Sequence, residues 1–155
     1  MNLLRADLNT ENIEKIGLVI SRFNEPVTKL LQQGAFEQIA ELGISEERVI
    51  AVSVPGAVEI PLAAQVLLDQ GCEGVVCLGA VIRGETSHYD YVCNSVESGC
   101  TRLALDYKRP VVFGVLTTEN KDQALARCGG KKGHKGKEAV DTLIEMINLK
   151  DQLTK

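Results

Sequence analysis

Apolar residues fall along this chain in two alternating patterns. Ile16–Ile20, Arg48–Val54, residues 74–82 and Pro110–Leu116 are short, dense, β-rich runs with the length and character of buried strands. Between them the apolar positions spread to helical spacing. Val27, Leu30, Leu31, Phe36, Ile39 and Ala40 mark one helix, which Asn24 can cap, Pro26 suits in its first turn and Gly43 stops. Gly34 inside it costs about 1 kcal/mol against Ala and marks close packing. Val58–Gln70, after the Pro55-Gly56-Ala57 break, reads as a second helix ended by Gly71. A third runs from about His88 to Tyr107, with Ser87 and Asp90 in a capping-box pattern. Thr117–Asn120 offers caps for a short helix reaching Cys128, stopped by Gly129-Gly130. A basic loop, Lys131–Lys137, leads into a last amphipathic helix with Val140, Leu143, Ile144, Ile147 and Leu153.

Strand–helix alternation of this kind implies a parallel sheet covered on both faces. Right-handed crossovers winding to both sides favour the order 2-1-3-4, a flavodoxin-like three-layer α/β sandwich. Its switch point, between strands 1 and 3, directs a ligand to Phe23-Asn24 and Arg83–His88 together. Residues 1–155 read as a single domain, with 1–12 an N-terminal arm or edge strand. There is no internal repeat, linker or low-complexity segment.

A length of 155 residues is enough to bury roughly 70% of the surface that the unfolded chain exposes. The formal net charge of −4 gives no electrostatic footprint for nucleic acid. No apolar stretch approaches a membrane span, and Met1–Thr10 lacks a signal-peptide core, so a cytoplasmic protein is expected. The five cysteines never form a CxxC and read as small buried hydrophobes; with two histidines, a zinc site is not expected.

The densest candidate chemistry lies in Cys77–Val92, where a buried run turns at once into Arg83, Gly84, Glu85, Thr86, Ser87 and His88. Free N–H groups at the start of the following helix favour an anion. His88 reads either as a general acid/base or as a helix-terminal histidine bonding its neighbours. Gly84-Glu85-Thr86 matches no phosphate-loop pattern, and by itself is an ordinary turn. Phe23 could stack on a planar heterocycle or fill a core; Glu59 could hold a polyol or complement a helix dipole. Arg127, Lys131, Lys132, Lys135 and Lys137 with His134 form the single basic cluster, either a solvated loop or an anion clamp.

Taken in order, several motifs together resemble the lumazine synthase family. They are Arg22-Phe23-Asn24; Val54-Pro55-Gly56-Ala57-Val58-Glu59-Ile60-Pro61; Leu78-Gly79-Ala80-Val81-Ile82-Arg83-Gly84 with Thr86, His88 and Tyr91-Val92. Phe113–Asn120, Gln123-Ala124, Arg127, Lys135-Gly136 and Glu145-Met146 complete the set. The resemblance runs from about residue 13 to 149. It implies a transferase of riboflavin biosynthesis that condenses 5-amino-6-(D-ribitylamino)uracil with 3,4-dihydroxy-2-butanone 4-phosphate. The products are 6,7-dimethyl-8-ribityllumazine, phosphate and water, and no metal or other cofactor is implied.

Carried over residue by residue, Phe23 stacks on the pyrimidine, and Ala57 and Glu59, flanking Val58, hold the ribityl chain. The Val81-Ile82 backbone and Lys135 contact the ring's polar edge. The Glu85 backbone, Thr86 and Arg127 hold phosphate. His88 moves protons with Glu138 as its orienting carboxylate, and Asn24, Arg83 and Phe113 also belong to the substrate site. The resemblance further implies pentamers with sites between subunits, Phe113, Arg127 and Lys135 reaching into the adjacent pocket. The short connection from Gly129-Gly130 to Lys135-Gly136 is similar to that of members closing into 60-subunit shells, which brings association with riboflavin synthase into view. The chain departs from the family in the loop that holds Gly130, Lys132 and His134, which carries extra positive charge, and where Glu138 replaces the frequent Asp. A non-catalytic flavin- or lumazine-binding relative and an inert shell-forming relative are the competing readings. Both would tolerate loss of His88 and Arg127, which are present. A different enzyme acting on a sugar phosphate would leave Phe23 and Glu59 without a role.

Overall fold

The computed structural model describes residues 1–155. Strands β1 (Ile16–Ser21), β2 (Val49–Val54), β3 (Val75–Ile82) and β4 (Val111–Thr118) form one sheet in the order β2-β1-β3-β4. All three pairings are parallel. Helices α1 (Glu25–Glu41) and α5 (Lys135–Thr154) pack together over one face, and α2 (Ile60–Asp69) and α3 (His88–Tyr107) over the other. The flavodoxin-like sandwich expected from the alternation is the architecture found.

The reason is visible in the strands. With side chains alternating faces, Ile16, Leu18 and Ile20 of β1 and Val76, Leu78 and Ala80 of β3 meet Leu31, Ala35, Val140, Leu143 and Ile144. Val19, Val75, Cys77 and Val81 point the other way, against Ile60, Ala64, Leu68, Val96 and Cys100. A strand buried on both sides must be apolar throughout, which is why β3 reads as an unbroken run. The five cysteines are free, and all but Cys93 are buried. Burial pushes the Cys72 and Cys128 thiols up, as expected for protonated core residues, and partial burial does the same to Cys93.

The glycine stops act through backbone geometry. Gly43, at φ 77°, closes α1: its N–H reaches the Ala40 carbonyl, and the next N–H, of Ile44, reaches back to Ile39 at 3.1 Å. Gly71 closes α2 in the same way.

Several local expectations are corrected. Asn24 does not cap α1 with its side chain; it sits at φ 66° and sends Nδ2 across to the Ala80 carbonyl at 2.8 Å, tying the start of α1 to β3. Ser87 and Asp90 form no capping box, because the Asp90 carboxylate accepts from Arg83 instead. Thr86 Oγ1 accepts the His88 N–H at 3.2 Å in its place. The second helix opens with a 3-10 turn, Ala57–Glu59, before α2 proper. The basic stretch after α4 (Lys121–Ala126) is a small hairpin, β5 (Cys128–Gly130) and β6 (Gly133–His134), and not an irregular loop. Residues 1–12 form no strand. They lie along α5, where Asn148 Nδ2 donates to the Asp7 and Asn9 carbonyls at 3.0 and 2.9 Å. No helix is long and apolar enough to cross a membrane.

Candidate active site

At the C-terminal ends of β1 and β3, where the chain winds to opposite sides, a cleft of about 360 Å³ opens. Phe23 and Asn24 enter it from the end of β1, and Gly56, Ala57, Val58 and Glu59 from the turn after β2. Val81 and Ile82 line it from β3, with Gly84, Thr86 and His88 from the turn that follows. Phe23 is 71% exposed, so its ring forms a free wall and not a core contact. The Phe23 N–H bonds the Pro55 carbonyl at 3.0 Å, carrying the β1–β2 pairing past the sheet and fixing the backbone from which the ring projects.

Glu59 holds its own turn together: Oε1 accepts the Gly56 N–H at 2.9 Å. The carboxylate is thereby anchored at the cleft's edge with acceptor capacity left over. His88 is exposed at the first turn of α3, its backbone N–H held by Thr86 and its ring facing the cleft.

Arg83 is engaged elsewhere. Its Nε donates to Glu119 Oε2 at 2.7 Å, a terminal nitrogen reaches Asp90 Oδ1 at 3.3 Å, and the guanidinium lies 4.3 Å from the centre of the Tyr89 ring. Asp90 and Glu119 hold its proton more tightly than usual. The side chain thus straps the β3 turn to the first turn of α3 and to the turn after β4. Glu85 is exposed and outside the cleft lining.

The remaining candidates gather in a second cleft, of about 400 Å³, along the outer edge of β4. Phe113, Arg127, Lys132, Lys135 and Glu138 line it. Arg127 and Lys135 are tied through their backbones, the Lys135 N–H bonding the Arg127 carbonyl at 2.8 Å across the hairpin. Three cations against one carboxylate make this an anion-attracting wall. His88 and Glu138 lie in different clefts and make no hydrogen bond within the chain. The groove at the opposite end of the sheet, bounded by Asn12, Glu73, Arg109 and Asp151, has no imidazole, and its Arg109 is committed to the Leu68 and Cys72 carbonyls.

The family model for 6,7-dimethyl-8-ribityllumazine synthase matches residues 14–151, spanning both clefts. The chain belongs to this family. It is 55% identical over 139 residues to the 6,7-dimethyl-8-ribityllumazine synthase of Bdellovibrio bacteriovorus, covering 90% of this chain and 76% of that one. The protein of the same name from Coxiella burnetii is 48% identical over 145 residues, 93% of this chain and 96% of that one. That from Pediococcus pentosaceus is 50% identical over 140 residues, covering 90% of each.

One aromatic lining residue of this lumazine synthase family member escaped the sequence reading, and one basic residue was singled out only by the structure. Tyr89, and not Tyr91, lines the first cleft, because α3 turns Tyr91 outward to solvent. Arg83 beside an aromatic in the next turn was the available signal. Lys132 joins the second cleft through the hairpin, whose Lys132 N–H bonds the Ala126 carbonyl at 2.8 Å. The basic cluster by itself does not reveal which of its members face inward.

Proposed function

We propose that this chain condenses 5-amino-6-(D-ribitylamino)uracil with 3,4-dihydroxy-2-butanone 4-phosphate to give 6,7-dimethyl-8-ribityllumazine. The observation that carries this reading, beside family membership, is the division of chemistry between the two clefts. One has an exposed aromatic, a carboxylate and an imidazole; the other has an anion-attracting wall. In the reaction the 5-amino group adds to the ketone and water leaves as an imine forms. Loss of a proton and of phosphate gives an enol that tautomerises to a second carbonyl. The ribityl-bearing nitrogen attacks it, and a second water leaves as the ring closes. Each step needs proton transfer between groups held in register, which His88 beside bound substrates would supply.

On this reading Phe23 stacks on the pyrimidine, Glu59 accepts from ribityl hydroxyls, and Val81 and Ile82 present backbone groups to the ring. Thr86, the Glu85 backbone and Arg127 hold phosphate. Arg83 acts at a distance, by fixing the turn. Neither cleft alone holds both an imidazole and the anion wall, so a site is completed when β4 of one copy meets the switch-point cleft of the next. Repeated head to tail, that contact makes a ring, here a pentamer. Val58, Leu62, Val66, Tyr91 and Leu105, all exposed on or near α2 and α3, supply an apolar face for a neighbour to cover. Glu138 then meets His88 from the adjacent copy. Closure into a 60-subunit shell, association with riboflavin synthase and a cytoplasmic location extend the same proposal.

The test is to mix purified protein with both substrates and follow lumazine absorbance and fluorescence. Formation of the product with release of phosphate is expected. Binding of ribitylaminouracil without turnover would select the non-catalytic relative.

A further inference from the structure

His134, in the basic stretch, turns its ring against α1. Its neighbours Lys132 and Lys135 line the β4 cleft, while its imidazole is half-buried against α1. The ring occupies the space where a side chain on Gly34 would begin: a Cβ there would overlap Cε1, Nε2 and Nδ1. Gly136 lies against the same ring, its Cβ position 3.1 Å from Cε1 and in contact with the Leu31 carbonyl. Gly129 of β5 closes the third side, where a Cβ would lie 3.4 Å from Cδ2. Three glycines, on α1, β5 and α5, leave a slot filled by one imidazole.

Within that slot His134 caps α5. Nδ1 accepts the Gly136 N–H at 3.2 Å, the bond that an N-cap side chain makes to the second helical residue. An accepting Nδ1 places the ring's proton on Nε2. The next residue is Lys135, whose N–H bonds the Arg127 carbonyl at 2.8 Å, and Cys128 pairs with His134 across the hairpin. The start of α5, Lys135 and Arg127 are therefore one hydrogen-bonded unit; further along, α5 is held to α1 by the Lys137–Glu37 ion pair at 3.3 Å and the Gln38–Asp141 bond at 2.7 Å, and the imidazole is the contact at the N-cap itself.

We infer that His134 is a positioning residue for the anion-binding wall: seated against Gly34, it fixes the start of α5 and with it the spacing of Arg127 and Lys135. This rests on the proposed reading of those two residues as substrate contacts. Removing the ring lets the hairpin shift relative to β4, which misplaces the cations without deleting either. A shorter N-cap acceptor retains the bond to Gly136 and needs less of the slot.

The experiment compares His134→Ala, His134→Asn, Gly34→Ala and the double variant Gly34→Ala/His134→Asn. It measures KM for the butanone phosphate, kcat, and binding of inorganic phosphate by calorimetry. His134→Ala should raise that KM and weaken phosphate binding about threefold to tenfold, the range set by one neutral hydrogen bond. His134→Asn should restore both to within about twofold. Gly34→Ala should impair both at least as much as His134→Ala, by expelling the ring. The double variant should recover, because asparagine leaves room for the new methyl group. If His134→Asn is no better than His134→Ala, or the double variant no better than Gly34→Ala, the positioning role is wrong. Should the wild type make no lumazine, the proposed activity fails, and the phosphate-binding series still decides the role of His134. Absence of phosphate binding by the wild type would overturn the anion wall and this role with it.

Discussion

His88 and Arg127 occupy separate clefts of the same chain, one at the β1–β3 switch point and the other along the outer edge of β4. On the proposed reading, a site that uses both draws them from two copies. His88→Ala and Arg127→Ala chains should each be nearly inactive alone, yet regain activity when unfolded together and refolded as mixed rings. Random pairing leaves about a quarter of the interfaces with one intact residue from each side. With mixing verified by native mass spectrometry, unchanged activity would mean that the two residues serve one subunit.

His88→Ala alone should slow turnover by ~10²–10⁴-fold, the usual cost of losing a general acid/base. Assembly should survive, because the ring is exposed and its backbone N–H is held by Thr86 independently of the side chain. A rate within a few-fold of the wild type would make His88 a helix-terminal residue and nothing more.

Phe23→Ala should weaken ribitylaminouracil by about 1 kcal/mol, the worth of an aromatic stacking contact, and the butanone phosphate by less. The exposed ring contributes little to folding, so the melting temperature should hold. Equal weakening of both substrates, measured by separate titrations, would point to a packing role at a subunit boundary.

Gly99→Ala tests how closely α2 and α3 approach. A Cβ at Gly99 would lie 2.7 Å from Pro61 Cγ and 2.8 Å from its Cβ, and a proline ring cannot rotate away. Helix propensity favours alanine by about 1 kcal/mol, whereas overpacking typically costs ~1–3 kcal/mol. A net loss of stability is expected in urea unfolding. A stabilised variant would show that the two helices separate freely.

The pattern of apolar runs was sufficient for the sheet order and for the place of the first cleft. A strand buried on both faces must be apolar throughout, and parallel neighbours need crossovers of one hand, so periodicity and loop order constrain the topology. Ligand chemistry at the end of β3 follows from that order, which is why Phe23-Asn24 and Arg83–His88 could be directed to one place from the topology, whereas Glu59 joined them only through the family resemblance. Side-chain commitments were another matter. Asn24 looked like a cap, and only the position of β3 across from it showed a better acceptor, the Ala80 carbonyl. Arg83 stood among the substrate-site residues that the resemblance implies, but its side chain is bonded to Glu119, from a turn 36 residues away. Gly34 signalled close packing without naming its partner; that partner is His134, brought to it by the packing of α5 on α1. Local sequence fixes backbone preference within a turn or two. Which donor meets which acceptor depends on distances between distant segments, and those exist only once the two layers of helices have closed on the sheet.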